Sequence, residues 1–290
     1  MTTPAIVLGG TGYVAGELLR LLAGHPFLRP EAVLSDSQAG GTVEAAFPHL
    51  TGCFPDLAFS GRDEMARLIG EREKAAILCA VPEHLAETLA GHVGHPGCFV
   101  TATLLAAVPL LKLGLVEPRL SVVAVTGSTG AGRKPTDTTH HPARRSNLFA
   151  YSPLTHRHEP EMRALAAAAS GVEAEIFFTP QSGPFARGIY ATLQGRLIRP
   201  MEAEEVRQAL AGFYAGAPFV EVLADPPRLQ DVVGTNRARM SAAVSEDHVV
   251  VFSAIDNLVK GAAGGAIQWM NRLLGFPETS GLTGPGLGWL

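Results

Sequence analysis

Short apolar runs separated by glycine- and proline-containing turns follow one another along the chain of 290 residues. Residues 5–8, 31–34 and 75–81 are mainly apolar and lack polar alternation, which is typical of buried parallel strands. Residues 17–23 predict a helix between the first two strands, and Gly24 marks its end. This alternation of strands and helices predicts an α/β fold.

The second half continues the pattern with longer strands and a final amphipathic helix. Its apolar runs predict strands at residues 121–125, 175–180, 189–195 and 249–256. After these, Ile267, Met270 and Leu274 form one apolar stripe at helical spacing. We expect this last helix to pack back against the first part of the chain.

The turn after the first strand is rich in glycine. Its residues Gly10, Gly12 and Ala15 match the pattern G-x-G-x-x-[GA], and Gly9, Gly12 and Gly16 offer a second spacing. Glycines let the backbone turn tightly and approach a pyrophosphate, which the start of the following helix then binds. The sequence predicts a dinucleotide site whose first contacts are Gly9, Gly10, Thr11, Gly12, Tyr13 and Val14.

The residues after the second strand do not decide which dinucleotide binds. An acidic residue at this place usually contacts the ribose 2′-OH of NAD, and Asp36 could do so. Ser35 and Ser37 could instead hydrogen-bond the 2′-phosphate of NADP. The residues alone leave both cofactors open.

Cys98 follows the turn His95-Pro96-Gly97 and precedes a long apolar run. Because Pro and Gly interrupt structure and residues 103–111 favour a helix, Cys98 is predicted at a helix N-terminus. Unpaired N–H groups and the helix dipole favour negative charge there, so we expect the thiol to ionise readily and act as a nucleophile. A buried structural cysteine is the alternative interpretation.

Other polar residues in the middle of the chain suggest substrate chemistry. Ser128 lies in a Gly/Ser/Thr loop that ends at Arg133, and such a loop could bind an anion. The His-Arg-His motif contains His156 and His158; its spacing does not support a metal site, and a histidine acid/base beside a thiolate fits better. Arg187 could clamp a substrate carboxylate or form a surface ion pair.

Composition narrows the class of protein. The chain is 47% hydrophobic and 17% charged, with a net charge of -4, which excludes a disordered chain and argues against nucleic-acid binding. Three cysteines are too few for a disulfide framework and suit a reducing cytoplasm. No signal peptide is evident, and the apolar run 98–111 is too short to span a bilayer. We expect a cytoplasmic protein that binds neither nucleic acid, membrane nor metal.

Taken together, these motifs resemble the N-acetyl-γ-glutamyl-phosphate reductase family of the aspartate-semialdehyde-dehydrogenase-like group. The matching motifs occur along this chain in the same order as in the family, and together they extend over nearly the whole chain. The matching segments are 9–16, 95–102, 126–133, 156–161, 185–192 and 256–265.

The resemblance implies a Rossmann-like NADP-binding domain and an α+β substrate and dimerisation domain. The former would comprise residues 1–97 with the C-terminal helix 258–290, and the latter residues 98–257. It also implies NADPH, a homo-oligomer (dimer or tetramer), and reduction of N-acetyl-glutamyl 5-phosphate to the 5-semialdehyde through a cysteine thioester. The implied roles are nucleophile for Cys98, acid/base for His158, substrate binding for His156, Arg187, Arg133 and Ser128, and cofactor binding for Asn257.

Two alternatives remain open. The element 139–142 also resembles a lysine-pathway relative, which reduces an aminoadipyl phosphate attached to a carrier protein. The second alternative is a non-catalytic NADP-binding protein. It arises because the family normally carries several tens more residues between the strand ending near Ala80 and the Pro-Gly-Cys turn. Here residues 81–84 already resemble a later family element, so part of the nucleotide domain and of the active-site wall is expected to be absent.

Overall fold

The computed structural model describes residues 2–71, 76–79, 93–286 and 288. The chain divides into two compact units, Met1–His95 with Ala262–Gly284, and Pro96–Gly261 with Pro285–Leu290. Residues 81–84, which the resemblance places beside the missing segment, lie outside the described residues.

The first unit is built on a parallel sheet of four strands among the described residues. Their order across the sheet is β3 (Phe59–Ser60), β2 (Leu28–Leu34), β1 (Thr3–Leu8) and β4 (Ala76–Cys79). The apolar runs predicted as strands lie in it because parallel strands are covered on both faces. Its elements are β1 (Thr3–Leu8), α1 (Tyr13–Ala23), β2 (Leu28–Leu34), α2 (Val43–Ala46), β3 (Phe59–Ser60), α3 (Arg62–Glu71), β4 (Ala76–Cys79) and, from the end of the chain, α8 (Gly264–Leu273).

The last helix, α8, packs against α1 within the first unit. Of the three residues of its predicted apolar stripe only Ile267 is buried, and Leu274 follows the end of the helix and is 40% exposed. A buried hydrogen bond joins Nε2 of His25, just after α1, to Oδ1 of Asn271 in α8 at 3.0 Å. The other ring nitrogen of His25 accepts hydrogen bonds from the backbone N–H groups of Phe27 and Leu28. Both nitrogens are therefore satisfied by a neutral ring that carries its proton on Nε2.

The second unit contains a mixed sheet of seven strands in the order β6-β7-β5-β8-β11-β10-β9. Its core lies between one face of the sheet and the helices, where alternate strand residues such as Val122, Phe178 and Leu193 meet Val100 and Leu110 of α4. The elements are α4 (Cys98–Lys112), β5 (Arg119–Thr126), α5 (His141–Arg144), β6 (Phe149–Ala150), α6 (His158–Ser170), β7 (Glu175–Ser182), β8 (Ile189–Arg196), α7 (Ala203–Phe213), β9 (Val220–Val222), β10 (Ala238–Ser245) and β11 (His248–Ile255).

The other face of this sheet carries apolar side chains that the second unit leaves partly exposed. Val123 is 37% exposed, and Phe177, Tyr190 and Phe252 on neighbouring strands are half-buried. These apolar side chains alternate with polar ones such as Ser121, Thr179 and Thr192 on the same face, which is a candidate protein interface. Within the part of the chain that the structure describes, no helix combines the length and apolar character needed to cross a membrane.

Candidate active site

Cys98 is the first residue of α4 and Gly97 is its N-cap, as the Pro-Gly turn predicted. The helix starts with the backbone N–H of Thr101 donating to the carbonyl oxygen of Gly97 at 2.8 Å. On the other side of the turn, the N–H of Gly97 donates to Oε1 of Glu161 in α6 at 3.2 Å. The turn that carries the thiol is thus attached to a second helix.

The expectation that Cys98 ionises readily is wrong for the unliganded protein. Loss of solvent on burial raises the pKa of the Cys98 thiol to about 11, although the N–H groups of Phe99 and of Cys98 itself act in the opposite direction. Arg157 lowers this pKa and Glu161 raises it. The loss of solvation is the largest contribution to the pKa of this thiol, and it exceeds the opposing effect of the N–H groups at the helix N-terminus.

His158 begins α6 and is held neutral. Burial is the main reason that the pKa of His158 is lowered to about 4, and the nearby His156 and Arg157 lower it further. The two imidazole rings meet edge to face with centroids 4.8 Å apart, and Nδ1 of His156 accepts a hydrogen bond from the backbone N–H of His158. A neutral imidazole at neutral pH is able to accept a proton.

Two glycines allow the close approach of other groups to Cys98. A Cβ atom on Gly97 would lie 2.6 Å from Nε2 of His158, so the imidazole packs directly on the turn before the cysteine. A Cβ atom on Gly261 would lie 2.7 Å from Cβ of Cys98. Gly261 belongs to a turn of π-helix, Val259–Ala263, and such turns are frequent at functional sites.

Cys98 and His158 both line a cavity of about 360 Å³ in the second unit. The predicted substrate residues Ser128 and His156 line it as well. Arg133 does not line it and is exposed. The structure therefore brings four of the six predicted catalytic and substrate residues into one cavity.

Arg187 is the last of the six predicted catalytic and substrate residues, and it forms an ion pair with a carboxylate of the protein itself. Its guanidinium pairs with both oxygens of the fully buried Asp256, with Nε to Oδ2 at 3.1 Å and Nη2 to Oδ1 at 3.2 Å. Asp256 also accepts the backbone N–H groups of Gly234, Leu258 and Val259. This ion pair, whose carboxylate is fully buried, fixes the loop after β11 and is not the predicted surface pair. A substrate contact of Arg187 stays a prediction.

Asn257 also has a role within the second unit that the prediction did not include. Its Oδ1 accepts the N–H of Gly188 at 2.6 Å, and its Nδ2 donates to Oγ1 of Thr129 at 3.0 Å. The side chain is buried. Through these two hydrogen bonds Asn257 holds two loops together. Its predicted contact with the cofactor stays a prediction.

Two cavity residues, Arg144 and Tyr151, were not selected from the sequence. Arg144 is buried at the end of the short α5, whereas the adjacent Arg145 is exposed. Burial raises the pKa of Tyr151 to about 12, so its hydroxyl stays protonated. Two adjacent arginines in a polar segment carry no signal that would distinguish the buried one from the exposed one.

The glycine turn of the first unit has the close packing that a dinucleotide site requires. Gly9 has a φ of 90°, and a Cβ atom on Gly10 would lie 2.4 Å from the carbonyl oxygen of Leu34. Gly12 is the N-cap of α1, whose first turn contains no acidic residue. The turn packs closely against Leu34 at the end of β2, and no side chain caps the N-terminus of α1. Both features fit the binding of a pyrophosphate.

The residues after β2 separate the acidic side chain from the two serines. Asp36 is about half exposed and accepts hydrogen bonds from the backbone N–H and a guanidinium N–H of Arg62, at 2.8 and 3.0 Å. Ser35 is buried, Ser37 is exposed, and their hydroxyl oxygens lie 3.5 Å apart. The carboxylate of Asp36 is therefore paired with the guanidinium of Arg62.

Comparisons with known proteins agree with this architecture. The family model "Semialdehyde dehydrogenase, NAD binding domain" matches residues 4–104, and "Semialdehyde dehydrogenase, dimerisation domain" matches residues 98–257. Aspartate semialdehyde dehydrogenase II from Vibrio cholerae superposes with a TM-score of 0.71 at 16% identity, covering 94% of this chain and 98% of that one. At this identity the superposition shows the fold alone.

Full-length relatives are more similar in sequence. Proteins from Moorella thermoacetica and Methanopyrus kandleri, both named N-acetyl-gamma-glutamyl-phosphate reductase, are 34% and 35% identical, and each match covers 97% of this chain and 98% of the relative. Fold and sequence thus define a nicotinamide-dependent protein of the semialdehyde dehydrogenase class. Within that class, the chain belongs to the N-acetyl-γ-glutamyl-phosphate reductase family, which confirms the resemblance found in its motifs.

The alignments also bear on the missing segment. The match with the Moorella thermoacetica protein extends over 339 positions, whereas this chain has 290 residues. At least 49 positions of that alignment therefore have no residue from this chain. The place of the deletion, near residue 80, stays a prediction.

Proposed function

We propose that this chain reduces N-acetyl-glutamyl 5-phosphate to N-acetyl-glutamate 5-semialdehyde with NADPH, through a thioester on Cys98. The observation that carries the proposal is the cavity that contains Cys98 at the start of α4 and the neutral His158. The names of the relatives, and the near-complete coverage of both chains in the matches, support the same reaction. We assign nucleotide binding to the first unit and the chemistry to the second.

Residues Gly9 to Val14 would hold the pyrophosphate of the cofactor, because the turn is tight and α1 begins there. Ser35 and Ser37 would contact the 2′-phosphate. The ion pair with Arg62 partly offsets the charge of Asp36, which favours NADP over NAD at this point. When bound, the nicotinamide supplies the hydride that brings the acyl group to the aldehyde level.

The chain's own residues handle the proton and the acyl group. Because the Cys98 thiol is protonated at neutral pH, its proton must leave as the sulfur attacks the carbonyl carbon. His158 accepts that proton, the C–S bond forms, and the bond to the phosphate oxygen breaks. The resulting imidazolium returns the proton to the carbonyl oxygen as the thioester is reduced. Cleavage of the C–S bond then releases the aldehyde and leaves the thiol protonated.

The raised pKa of Cys98 and the lowered pKa of His158 fit this order of events. Both groups are neutral in the resting cavity, so no ion pair has to be desolvated before substrate binds. Charge develops only during attack, next to Arg157 on the cavity wall. His156 contacts His158 edge to face and would orient it and touch the substrate, while Ser128 would contribute a hydroxyl.

The protein is proposed to be a cytoplasmic homo-oligomer. The match to a dimerisation domain and the apolar sheet face around Val123, Phe177 and Tyr190 support a dimer through that face, or a tetramer containing it. Two of the three cysteines, Cys53 and Cys98, are free thiols, which suits a reducing compartment.

Replacement of the nucleophile tests the proposed reaction. Cys98→Ser should abolish reduction and leave NADPH binding nearly unchanged, because a serine hydroxyl is a weaker acid and a weaker nucleophile than a thiol and gives up its proton to His158 less readily. Cys53→Ser, at an exposed cysteine, is the matched control and should keep full activity. Substantial turnover by Cys98→Ser would exclude the thioester.

The same assay separates the alternative activities. N-acetyl-glutamyl phosphate and carrier-linked aminoadipyl phosphate are offered to the wild-type protein in parallel. Preference for the first supports the proposal, and preference for the second identifies the lysine-pathway activity. NADPH binding without turnover of either substrate identifies a non-catalytic protein.

A further inference from the structure

The cavity that contains Cys98 also contains a buried arginine whose hydrogen-bond partners among the described residues are all neutral. Arg144 is 8% exposed, and its guanidinium donates to the hydroxyl oxygen of Ser182 and to the carbonyl oxygen of Gly183. No carboxylate of the described residues forms an ion pair with it, and its Nε has no hydrogen-bond partner among them. Arg187, by contrast, has the buried Asp256.

An unpaired buried guanidinium is energetically costly. Burial lowers the pKa of Arg144, but an arginine stays protonated in proteins, so the charge persists. Buried charges are normally paired or bind a ligand of opposite charge. Ser182 and Gly183 hold the guanidinium in place at the end of β7 but supply no negative charge. An anion that enters the cavity would complete the site.

The acyl phosphate has two anionic groups, at different distances from the reacting carbon. Its phosphate is attached to the carbon that Cys98 attacks, whereas its carboxylate is at the opposite end of the glutamyl chain. Arg144 is at the end of α5 and reaches Ser182 and Gly183 at the end of β7, whereas Arg157 immediately precedes His158 on the cavity wall. Arg157 also lowers the pKa of the Cys98 thiol. Arg157 is therefore the partner expected for the phosphate, and Arg144 is the partner expected for the carboxylate at the opposite end of the substrate.

We propose that Arg144 binds the carboxylate of the N-acetyl-glutamyl group and so selects substrates that carry it. This inference rests on the proposed function and deepens it. The carboxylate accepts the remaining Nη N–H groups of the guanidinium, whose orientation Ser182 and Gly183 fix. Phe149 lies beside the guanidinium, with its ring centroid 5.9 Å from the guanidinium carbon.

The test compares two aldehydes in the reverse, phosphate-dependent reaction: N-acetyl-glutamate 5-semialdehyde and 4-acetamidobutanal, which is the same aldehyde without the carboxylate. For the wild-type protein, kcat/KM should fall about 100-fold when the carboxylate is removed, since charge-assisted hydrogen bonds are lost. Arg144→Met should lose the same factor with the first aldehyde and nothing further with the second. Arg144→Lys should be intermediate, and Arg145→Met, at the exposed neighbour, should behave like wild type.

A binding measurement keeps the inference separate from the proposed reaction. Titration with N-acetylglutamate and with 4-acetamidobutanoate should show tighter binding of the former to the wild-type protein and equal binding to Arg144→Met. Equal binding of both by the wild-type protein, which needs no variant to fold, overturns the inference. So does a folded Arg144→Met that keeps the wild-type preference, or one in which only the KM for inorganic phosphate rises. Failure of the wild-type protein to convert either aldehyde refutes the proposed function alone.

Discussion

Alkylation of Cys98 by iodoacetamide is expected to accelerate with pH up to about pH 10 in the unliganded protein, without a plateau near neutrality. Only the thiolate reacts, and burial raises the pKa of this thiol to about 11. The N–H groups at the start of α4 offset only part of the loss of solvation. The pH profile of alkylation therefore measures whether the loss of solvation or the stabilisation by the helix N–H groups has the larger effect on the pKa of Cys98.

The expected magnitude follows from the ionised fraction. With a pKa of about 11, roughly one Cys98 thiol in 10,000 is ionised at pH 7. An ordinary cysteine with a pKa of about 8.5 is ionised to about 3% at that pH. At pH 7 the reactive, ionised fraction of Cys98 should thus be about 300-fold smaller than that of an ordinary cysteine. The higher nucleophilicity of a more basic thiolate offsets part of this factor, so Cys98 should react more than about tenfold more slowly, and its rate should rise about tenfold for each pH unit.

The assay follows each cysteine separately by mass spectrometry of proteolytic peptides after timed exposure to iodoacetamide. Cys53, which is exposed, serves as the reference within the same sample. A Cys98 rate that equals or exceeds that of Cys53 at pH 7, or that reaches a plateau below about pH 8, would refute the reasoning. The thiol would then be activated in advance by the helix N-terminus.

Three further predictions concern the proton, the cofactor and the stability of the fold. His158→Asn should lower kcat by about two to four orders of magnitude in steady-state assays, since a positioned acid/base contributes that much, and wild-type rates across the pH range would contradict the assignment. Ser35→Ala/Ser37→Ala should reduce the preference for NADPH over NADH by tenfold or more in a binding titration, because charge-assisted hydrogen bonds are lost. Equal affinity for both cofactors in the wild-type protein would instead make Asp36 the ribose ligand. The free energy of unfolding, measured with urea, should fall from pH 6.5 to 4, because burial lowers the pKa of His25 and His158 in the folded state only, so the unfolded chain binds protons first. This fall should be smaller in His158→Asn, whereas a substitution of the exposed His140 should leave it unchanged.

Local features were readable from the sequence because they depend on neighbours within a few residues. The apolar runs predicted β1 and α1, and the Pro-Gly turn predicted that α4 begins at Cys98. The glycine pattern predicted the tight turn before α1, where Gly9 adopts a positive φ. Backbone conformation at such places is set by the residue's own steric freedom and by helix start and stop signals.

The partners of charged side chains depended on the tertiary structure. Arg187 pairs with Asp256, which is 69 residues away in the chain, and Asn257 joins the loop at Gly188 to Thr129. Nothing near Arg187 in sequence indicates that a buried carboxylate will reach it. The prediction of a substrate clamp therefore did not include the partner that the folded chain supplies.

By itself, then, the sequence determined the family, the order of strands and helices, and the residue types available for chemistry. The tertiary structure decided which of two adjacent arginines, Arg144 or Arg145, lines the cavity, and it reversed the expected ionisation of Cys98. The burial of Arg144 and the protonation of Cys98 have the same physical reason. Solvation of a charge depends on every group packed around it, and packing brings together residues that lie far apart along the chain.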